Sequence, residues 1–124
     1  SQRLVRKLCP YCKEEYVAED KVKNIIVGKV GRYIKNKDEI KIYKSHDGGC
    51  EKCNLTWYKG RIWVYEVLEM NEKIEELLLK NASRSQLEIQ AYGDGMVTIK
   101  EDALLKVVLW DTSIEEVLSV VGSW

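Results

Sequence analysis

The chain of 124 residues has one histidine, His46, and no apolar run of 18 residues or more. A single histidine excludes a metal site built on paired histidines and argues against a Ser-His-Asp catalytic triad. Without a long apolar run, no membrane-spanning helix is predicted. Because His46 stands beside Asp47 and Gly48, we interpret it as an exposed turn residue rather than a general base.

The sequence also lacks a phosphate-binding P-loop. Gly28-Lys29 matches the end of that motif, but Lys23 occupies the position of its first glycine and Val30 that of its Ser or Thr. The acidic pairs Glu75-Glu76 and Glu115-Glu116 lie in amphipathic segments, and we interpret them as solvated helix faces. The chain by itself is therefore predicted to be non-catalytic.

No excess of one charge sign is present, since 20 Lys and Arg balance 20 Asp and Glu. Residues 1–44 nevertheless carry twelve basic and six acidic groups, whereas residues 66–124 carry five and twelve. Nucleic-acid binding, which typically accompanies an isoelectric point above about 9, is not predicted. The basic segment Lys21 to Lys44 is either a solvated excursion or a docking surface for anionic lipid headgroups, an acidic protein or nucleic acid.

Two cysteine pairs of identical spacing form the most specific pattern, Cys9-Pro10-Tyr11-Cys12 and Cys50-Glu51-Lys52-Cys53. Each spacing permits a tight turn that points both sulfurs at one centre, and two turns supply the four thiolates that tetrahedral zinc prefers. The long intervening loop is no obstacle, because doubling a loop costs about 0.6 kcal/mol against roughly 10 to 16 kcal/mol for zinc binding.

Three alternatives compete with a zinc site. Disulfides are disfavoured because the sequence has no apolar signal segment and its 32% charged residues indicate a cytosolic chain with reduced thiols. A redox-active pair would leave the second pair unexplained, and iron is the main competing metal. We predict a structural Zn²⁺ site with all four positions filled by protein, and therefore without catalytic function, at Cys9, Cys12, Cys50 and Cys53.

Local patterns predict an α+β fold in two parts: a small zinc-ribbon-like tetracysteine module with a β-hairpin, residues 1–69, and a bundle of short C-terminal helices, residues 70–124. A basic excursion at residues 17–47 interrupts the first part. Its predicted elements are a helix end at 1–8, a helix at 19–27 ended by Gly28 and Gly31, a strand at 39–44, and a hairpin with strands 55–59 and 61–67 that turns at Gly60.

Helix caps predict the second part. Asn71 is positioned to cap a helix over residues 72–80, and three capping boxes start further helices: Ser83-x-x-Gln86, Thr98-x-x-Glu101 and Ser113-x-x-Glu116. Three apolar stripes are predicted to face the core. They are Ile74, Leu77 and Leu78; Leu104, Leu105, Val108 and Leu109; and Val117, Leu118 and Val121.

Taken in order, these segments resemble the carboxy-terminal region of the type II secretion and type IV pilus assembly ATPases. The resemblance rests on residues 2–12, on 50–54 with Thr56, 58–61 and 65–66, and on 95–98 with 101–102, 106–107, 112–113 and 115–118. The chain departs from that family at four positions where the family usually has glycine. They are Leu55, Trp57, Ala103 and Trp110.

The resemblance implies a parent that is a homo-hexameric cytoplasmic motor at the inner membrane, whose ATP and Mg²⁺ site lies upstream. This chain would be its zinc-stapled, non-catalytic C-terminal domain, which contacts the upstream ATPase core and relays motion toward an inner-membrane platform protein. Abundant charge with few Asn and Gln hints at a thermophilic source. The alternatives are a zinc-ribbon nucleic-acid-binding module and a free-standing zinc-dependent protein-interaction scaffold.

Overall fold

The computed structural model describes residues 2–45, 47–66, 71–93 and 95–122, so the prediction for His46 lies outside the described residues. These ranges contain strands and helices in one α+β fold, as predicted. In chain order the elements are β1 (Gln2–Leu8), β2 (Glu14–Val17), α1 (Asp20–Val30), β3 (Lys41–Lys44), β4 (Tyr58–Tyr65), α2 (Glu72–Leu79), α3 (Arg84–Gly93), α4 (Ile99–Val108) and α5 (Ile114–Val121).

The described strands form two antiparallel pairs. β1 pairs with β4, with Val5 opposite Ile62, and β2 pairs with β3, with Tyr16 opposite Ile42. The predicted helix end at residues 1–8 is therefore wrong. Its residues pair with residues 50 to 63 positions later in the chain, and this long-range pairing leaves no trace in the local pattern.

The predicted hairpin at Gly60 is also wrong, because β4 runs through this glycine without turning. Gly60 has a φ of +83°, and the register between β1 and β4 shifts between Arg6 and Leu8. A glycine with positive φ at an extra residue is typical of a β-bulge. Gly60 therefore bends the strand instead of reversing it.

Two further predictions needed correction in the stretch before the second cysteine pair. Helix α1 continues through Gly28 and ends at Val30, because one glycine in a helix costs only about 1 kcal/mol and the buried Ile26 and Val30 anchor the helix on the core. The predicted strand at 39–44 is present, but it begins at Lys41. Its partner β2 was not predicted.

Three of the four predicted caps are confirmed, and the fourth, at Ser113, is formed in one direction only. The Asn71 side chain accepts from the Ile74 N–H, and the boxes at Ser83 and Thr98 are closed in both directions. Ser113 accepts from the Glu116 N–H at 3.1 Å, but the Glu116 carboxylate does not return to the cap. The Glu116 carboxylate instead accepts from the backbone N–H of Arg6 on β1.

The main core collects side chains from strands and helices on both sides of residue 70. Its most buried members are Val5, Ile26, Val30, Ile42, Val64, Ala103, Leu104, Val107 and Val117. Each predicted stripe is fully buried at its first member, namely Ile74, Leu104 and Val117. Leu78, Leu109 and Leu118, in contrast, are 45%, 65% and 40% exposed, so the prediction that they face the core is wrong. Among the described residues, no helix combines the length and apolar character needed to cross a membrane.

Candidate metal centre

The structure brings the four predicted cysteines together. Their Sγ atoms all lie within 4.8 Å of one another, although 37 residues separate the two pairs. Three of the separations are 3.6 Å for Cys9 to Cys50, 3.9 Å for Cys12 to Cys53 and 3.8 Å for Cys50 to Cys53. Cys9 and Cys53 are buried, whereas Cys12 and Cys50 are partly exposed.

These distances distinguish a metal site from disulfide bonds. All four cysteines are free thiols, and their separations are far above the roughly 2.05 Å of a sulfur–sulfur bond. Four sulfurs placed tetrahedrally at about 2.3 Å from one ion would lie about 3.8 Å apart. The three separations given above match this value and no pair exceeds 4.8 Å, so the four side chains could hold one metal ion.

The first cysteine pair follows directly from β1. The Cys9 N–H donates to the Trp57 carbonyl at 2.9 Å, which places the start of the turn beside the residue before β4. The turn is closed by the N–H groups of Cys12 and Lys13, which both donate to the Cys9 carbonyl. The sheet therefore sets the position of this turn.

The second pair occupies one 3-10 turn, Glu51–Cys53, with Cys50 as its cap. The Cys50 N–H points to the Cys53 sulfur at 3.4 Å, and the Leu55 N–H donates to the Cys50 carbonyl at 2.9 Å. Amide donors at a sulfur favour its charged form. This turn is therefore built for a thiolate.

The thiols differ in acidity. Burial, together with hydrogen bonds among the sulfurs, raises the pKa of Cys12 to about 12. Burial acts in the same direction on Cys53, but backbone N–H donors at Cys50 and Trp57 outweigh it and lower the pKa of Cys53 to about 6. Metal binding requires deprotonated sulfurs, so a bound cation would displace the thiol protons that remain.

At three of the four positions where this chain replaces a glycine usual in the family, the backbone adopts a conformation that favours glycine. Leu55, Trp57 and Trp110 have φ values of +63°, +74° and +70°, a region that costs a side chain about 1 to 2 kcal/mol. Ala103 differs, because it lies buried inside α4 and has no such strain. Bulky side chains are thus held in strained conformations close to the cysteines.

One interaction next to the site was missed because the acidic pair at 115–116 was interpreted as solvated. That interpretation is wrong for Glu116, which is only 5% exposed. Its carboxylate accepts from the Arg6 backbone N–H at 2.7 Å and from the Arg6 guanidinium at 2.8 and 3.1 Å. An acidic residue inside an otherwise apolar helix stripe, opposite a basic strand, was the only sequence signal.

Neighbouring residues extend this contact. The Thr112 hydroxyl donates to the Arg6 carbonyl at 2.7 Å, and the Leu8 N–H donates to the Asp111 carbonyl at 2.9 Å. The Tyr58 hydroxyl lies 2.7 Å from that of Ser113. The start of α5 therefore covers the edge of β1 that does not face β4, immediately before the first cysteine.

The basic segment from Lys21 to Lys44 is exposed at most of its charged residues, and part of its charge is paired. Arg32 contacts Glu101 on α4 at 2.8 Å, and Lys41 lies 3.7 Å from Glu15. These ion pairs join the segment to the rest of the fold.

A paired strand–helix scaffold with four convergent thiols defines a tetracysteine module, and comparison with known proteins identifies its family. The family model described as "Type II/IV secretion system protein" matches residues 1–119. The chain belongs to this family.

Curated relatives agree. The chain is 33% identical to the type IV pilus assembly ATPase PilB of Thermus thermophilus, over 96% of this chain and 13% of that protein. It is 35% identical to the type II secretion system protein E of Dickeya dadantii and 34% identical to the type II secretion system ATPase E of Vibrio cholerae. Each of these matches covers 97% of this chain and 22% of the relative. The chain thus spans only about an eighth to a fifth of these proteins.

Proposed function

We propose that this chain is a zinc-stapled, non-catalytic module of a hexameric ATPase that drives type II secretion or type IV pilus assembly. Its matches cover nearly all of the chain but only 13 to 22% of each relative cited, which supports the reading as one part of a larger motor. ATP and Mg²⁺ would bind elsewhere in that motor. The intact protein would work in the cytoplasm, peripheral to the inner membrane.

The observation that carries this proposal is the chain of contacts from the cysteines to α5. β1 ends at Leu8, immediately before Cys9; one of its edges is held by Thr112 and Glu116, and its other edge pairs with β4. A four-thiolate zinc site is closed to substrate and stabilises a fold by connecting distant segments. The module would therefore be stiff enough to pass movement of the ATPase core to a membrane platform protein.

Metal analysis tests the zinc part of the proposal. The purified chain should contain one zinc ion, and a strong chelator should cause cooperative loss of structure, followed by circular dichroism. Equal zinc content in a Cys53→Ser variant would contradict the ligand assignment. Iron in place of zinc, found by elemental analysis, would correct the identity of the metal.

The intact ATPase tests the mechanical part. With Cys9 and Cys12 both replaced by Ser, we expect protein export or pilus assembly to be lost while the purified enzyme still hydrolyses ATP. Lys52→Ser is the matched control, because it lies within a cysteine turn but offers no ligand atom. Loss of hydrolysis together with assembly would show that the module serves the catalytic core rather than a later step.

Two alternatives give different outcomes. A nucleic-acid-binding module would bind DNA or RNA with an affinity that falls steeply with salt and depends on the basic segment Lys21 to Lys44. A free-standing scaffold would function without an ATPase core, and membership of the secretion family weighs against it.

A further inference from the structure

A cavity of about 310 Å³ lies beside the first cysteine turn and is not explained by metal binding. Leu8, Pro10 and Tyr11 line one part of it, and Trp110 and Asp111 line another. Three lysines complete the lining, namely Lys7, Lys13 and Lys59. The cavity thus combines apolar walls with an excess of positive charge.

Two of these lysines have side chains without a partner in the described part of the chain. The ammonium groups of Lys7 and Lys59 make no ion pair or hydrogen bond with any residue that the structure describes. Lys13 is held in place, since its ammonium group donates to the Trp110 carbonyl at 2.8 Å and lies 4.8 Å from the centre of the Tyr43 ring. The cavity therefore offers two unneutralised cations and one positioned cation.

The aromatic wall is also held in place. Trp110 adopts a φ of +70°, donates its indole N–H to the Lys41 carbonyl at 3.1 Å and packs on Tyr43, yet it remains 44% exposed. Tyr11, which also lines the cavity, is 66% exposed. Strained residues that persist are typical of functional sites, and exposed aromatic side chains are typical of binding surfaces.

We infer that this cavity binds a short segment of a partner protein in which acidic residues adjoin an apolar one. The carboxylates would pair with Lys7 and Lys59, and the apolar side chain would lie between Tyr11 and Trp110. This inference deepens the proposed function, on which it rests, by placing a partner contact directly beside the cysteine turn.

The lining favours a peptide over a phosphate ligand. No arginine contributes the paired donors that phosphate groups favour, and the Asp111 carboxylate would repel a dianion. The same carboxylate can accept a backbone N–H of a bound peptide. A volume near the lower end of the usual 300 to 1,000 Å³ range for ligand pockets suits a few side chains rather than a whole helix.

Selection from a phage library of random peptides of about twelve residues on the metal-loaded chain tests the inference. We expect the enriched peptides to combine Asp or Glu with Leu or aromatic residues. Peptides without acidic residues would overturn the inference. So would a selection that enriches nothing, or one in which inorganic pyrophosphate or single-stranded DNA binds in place of peptides.

The site is then located by measuring, with fluorescence anisotropy, how substitutions in the chain change its affinity for the best peptide. Lys7→Glu combined with Lys59→Glu should weaken binding by at least about tenfold, and Tyr11→Ala should weaken it as well. The matched control is Lys29→Glu with Lys35→Glu, which makes the same charge change on exposed residues outside the cavity and should leave the affinity within about twofold.

Equal loss in both double variants would show general charge attraction and would overturn the assignment to this cavity. Circular dichroism and zinc content verify that each variant is folded. Peptide binding needs no ATPase activity, so it can fail while the cysteine variants still abolish assembly in the intact motor. Failure of the motor proposal would instead appear as normal assembly in the cysteine variants, a result that the peptide assay does not measure.

Discussion

Replacing Glu116 by Gln is the sharpest test of how α5 is held on β1. The substitution preserves shape and leaves an oxygen that can still accept from the Arg6 backbone N–H. It removes the negative charge that faces the Arg6 guanidinium at 2.8 and 3.1 Å. The variant therefore isolates the charged part of the contact.

The expected cost follows from the burial of the two partners. Glu116 is 5% exposed but Arg6 is 56% exposed, so water can solvate the guanidinium once the charge is gone. Breaking a fully buried ion pair costs about 3 to 5 kcal/mol, and a charged hydrogen bond is worth about 1.5 to 3 kcal/mol. We expect Glu116→Gln to reduce the free energy of unfolding by about 1 to 2 kcal/mol, and Glu116→Ala by about 2 to 4 kcal/mol because the Arg6 N–H then loses its acceptor.

Urea unfolding of the metal-loaded chain, followed by tryptophan fluorescence, measures both values. Glu115→Gln is the matched control, since this neighbour is exposed and should change stability by less than about 0.5 kcal/mol. Equal effects at residues 115 and 116 would refute the reasoning. The contact between Arg6 and Glu116 would then make no specific contribution to the free energy of unfolding.

The pH dependence supplies an independent check. Burial acts to raise the pKa of the Glu116 carboxyl, but hydrogen bonds from the Arg6 side chain and backbone hold that pKa below its usual value. A depressed folded pKa means that the stabilisation is complete above about pH 4.3, the value for an unfolded glutamate, and is lost as the pH falls through the folded pKa. The difference between wild type and Glu116→Gln should thus be constant from neutral pH to about pH 5 and shrink below about pH 4.

Four further changes test the fold and the metal centre. Gly60→Ala should lower the free energy of unfolding by about 1 kcal/mol in thermal or urea melts, because φ is +83° although the added methyl meets only the Lys7 side chain at 4.0 Å. Gly28→Ala should raise it by about 0.5 to 1 kcal/mol, since this helical position has open space around it. Leu55→Gly should leave the melting temperature unchanged or raise it, because relief of a φ of +63° offsets the loss of a side chain that is 67% exposed. Gly49→Ala should abolish metal retention in elemental analysis, because its methyl would lie 2.8 Å from the Leu55 backbone.

The decisive comparison is between Gly28→Ala and Gly60→Ala, because the free energy of unfolding should rise in the first variant and fall in the second. A stabilised Gly60→Ala would mean that residue 60 does not form a bulge, and a destabilised Gly28→Ala would mean that α1 does not continue through residue 28. A Gly49→Ala protein that keeps its metal would contradict the described geometry of the second cysteine turn.

Signals confined to a few residues predicted structure well. The asparagine cap of α2 and the boxes at Ser83 and Thr98 were each read from four or fewer residues, and each is present. The meeting of the four cysteines was likewise predicted from two short spacings. In the helix caps, both partners of the hydrogen bond lie within one turn of the chain. The cysteines are far apart, but their thiols are the metal-binding groups that the sequence repeats at the same spacing.

Contacts between distant segments were not predictable in the same way. β1 looks basic and helical until its pairing with Trp63 and Val64 is known, and Gly60 looks like a turn until β4 is seen to continue through it. Glu116 follows the same logic, because its partner Arg6 lies 110 residues earlier. The predicted division near residue 70 stays a prediction, although the main core draws on both sides of it.

The two occupied edges of β1 have a mechanical consequence. β4 bonds to one edge, while Thr112, Glu116 and the Asp111 carbonyl bond to the other, so a pull along the strand axis would shear both rows together instead of opening them one at a time. Under such a load, tension would pass from the strand directly into the cysteine turn that follows it.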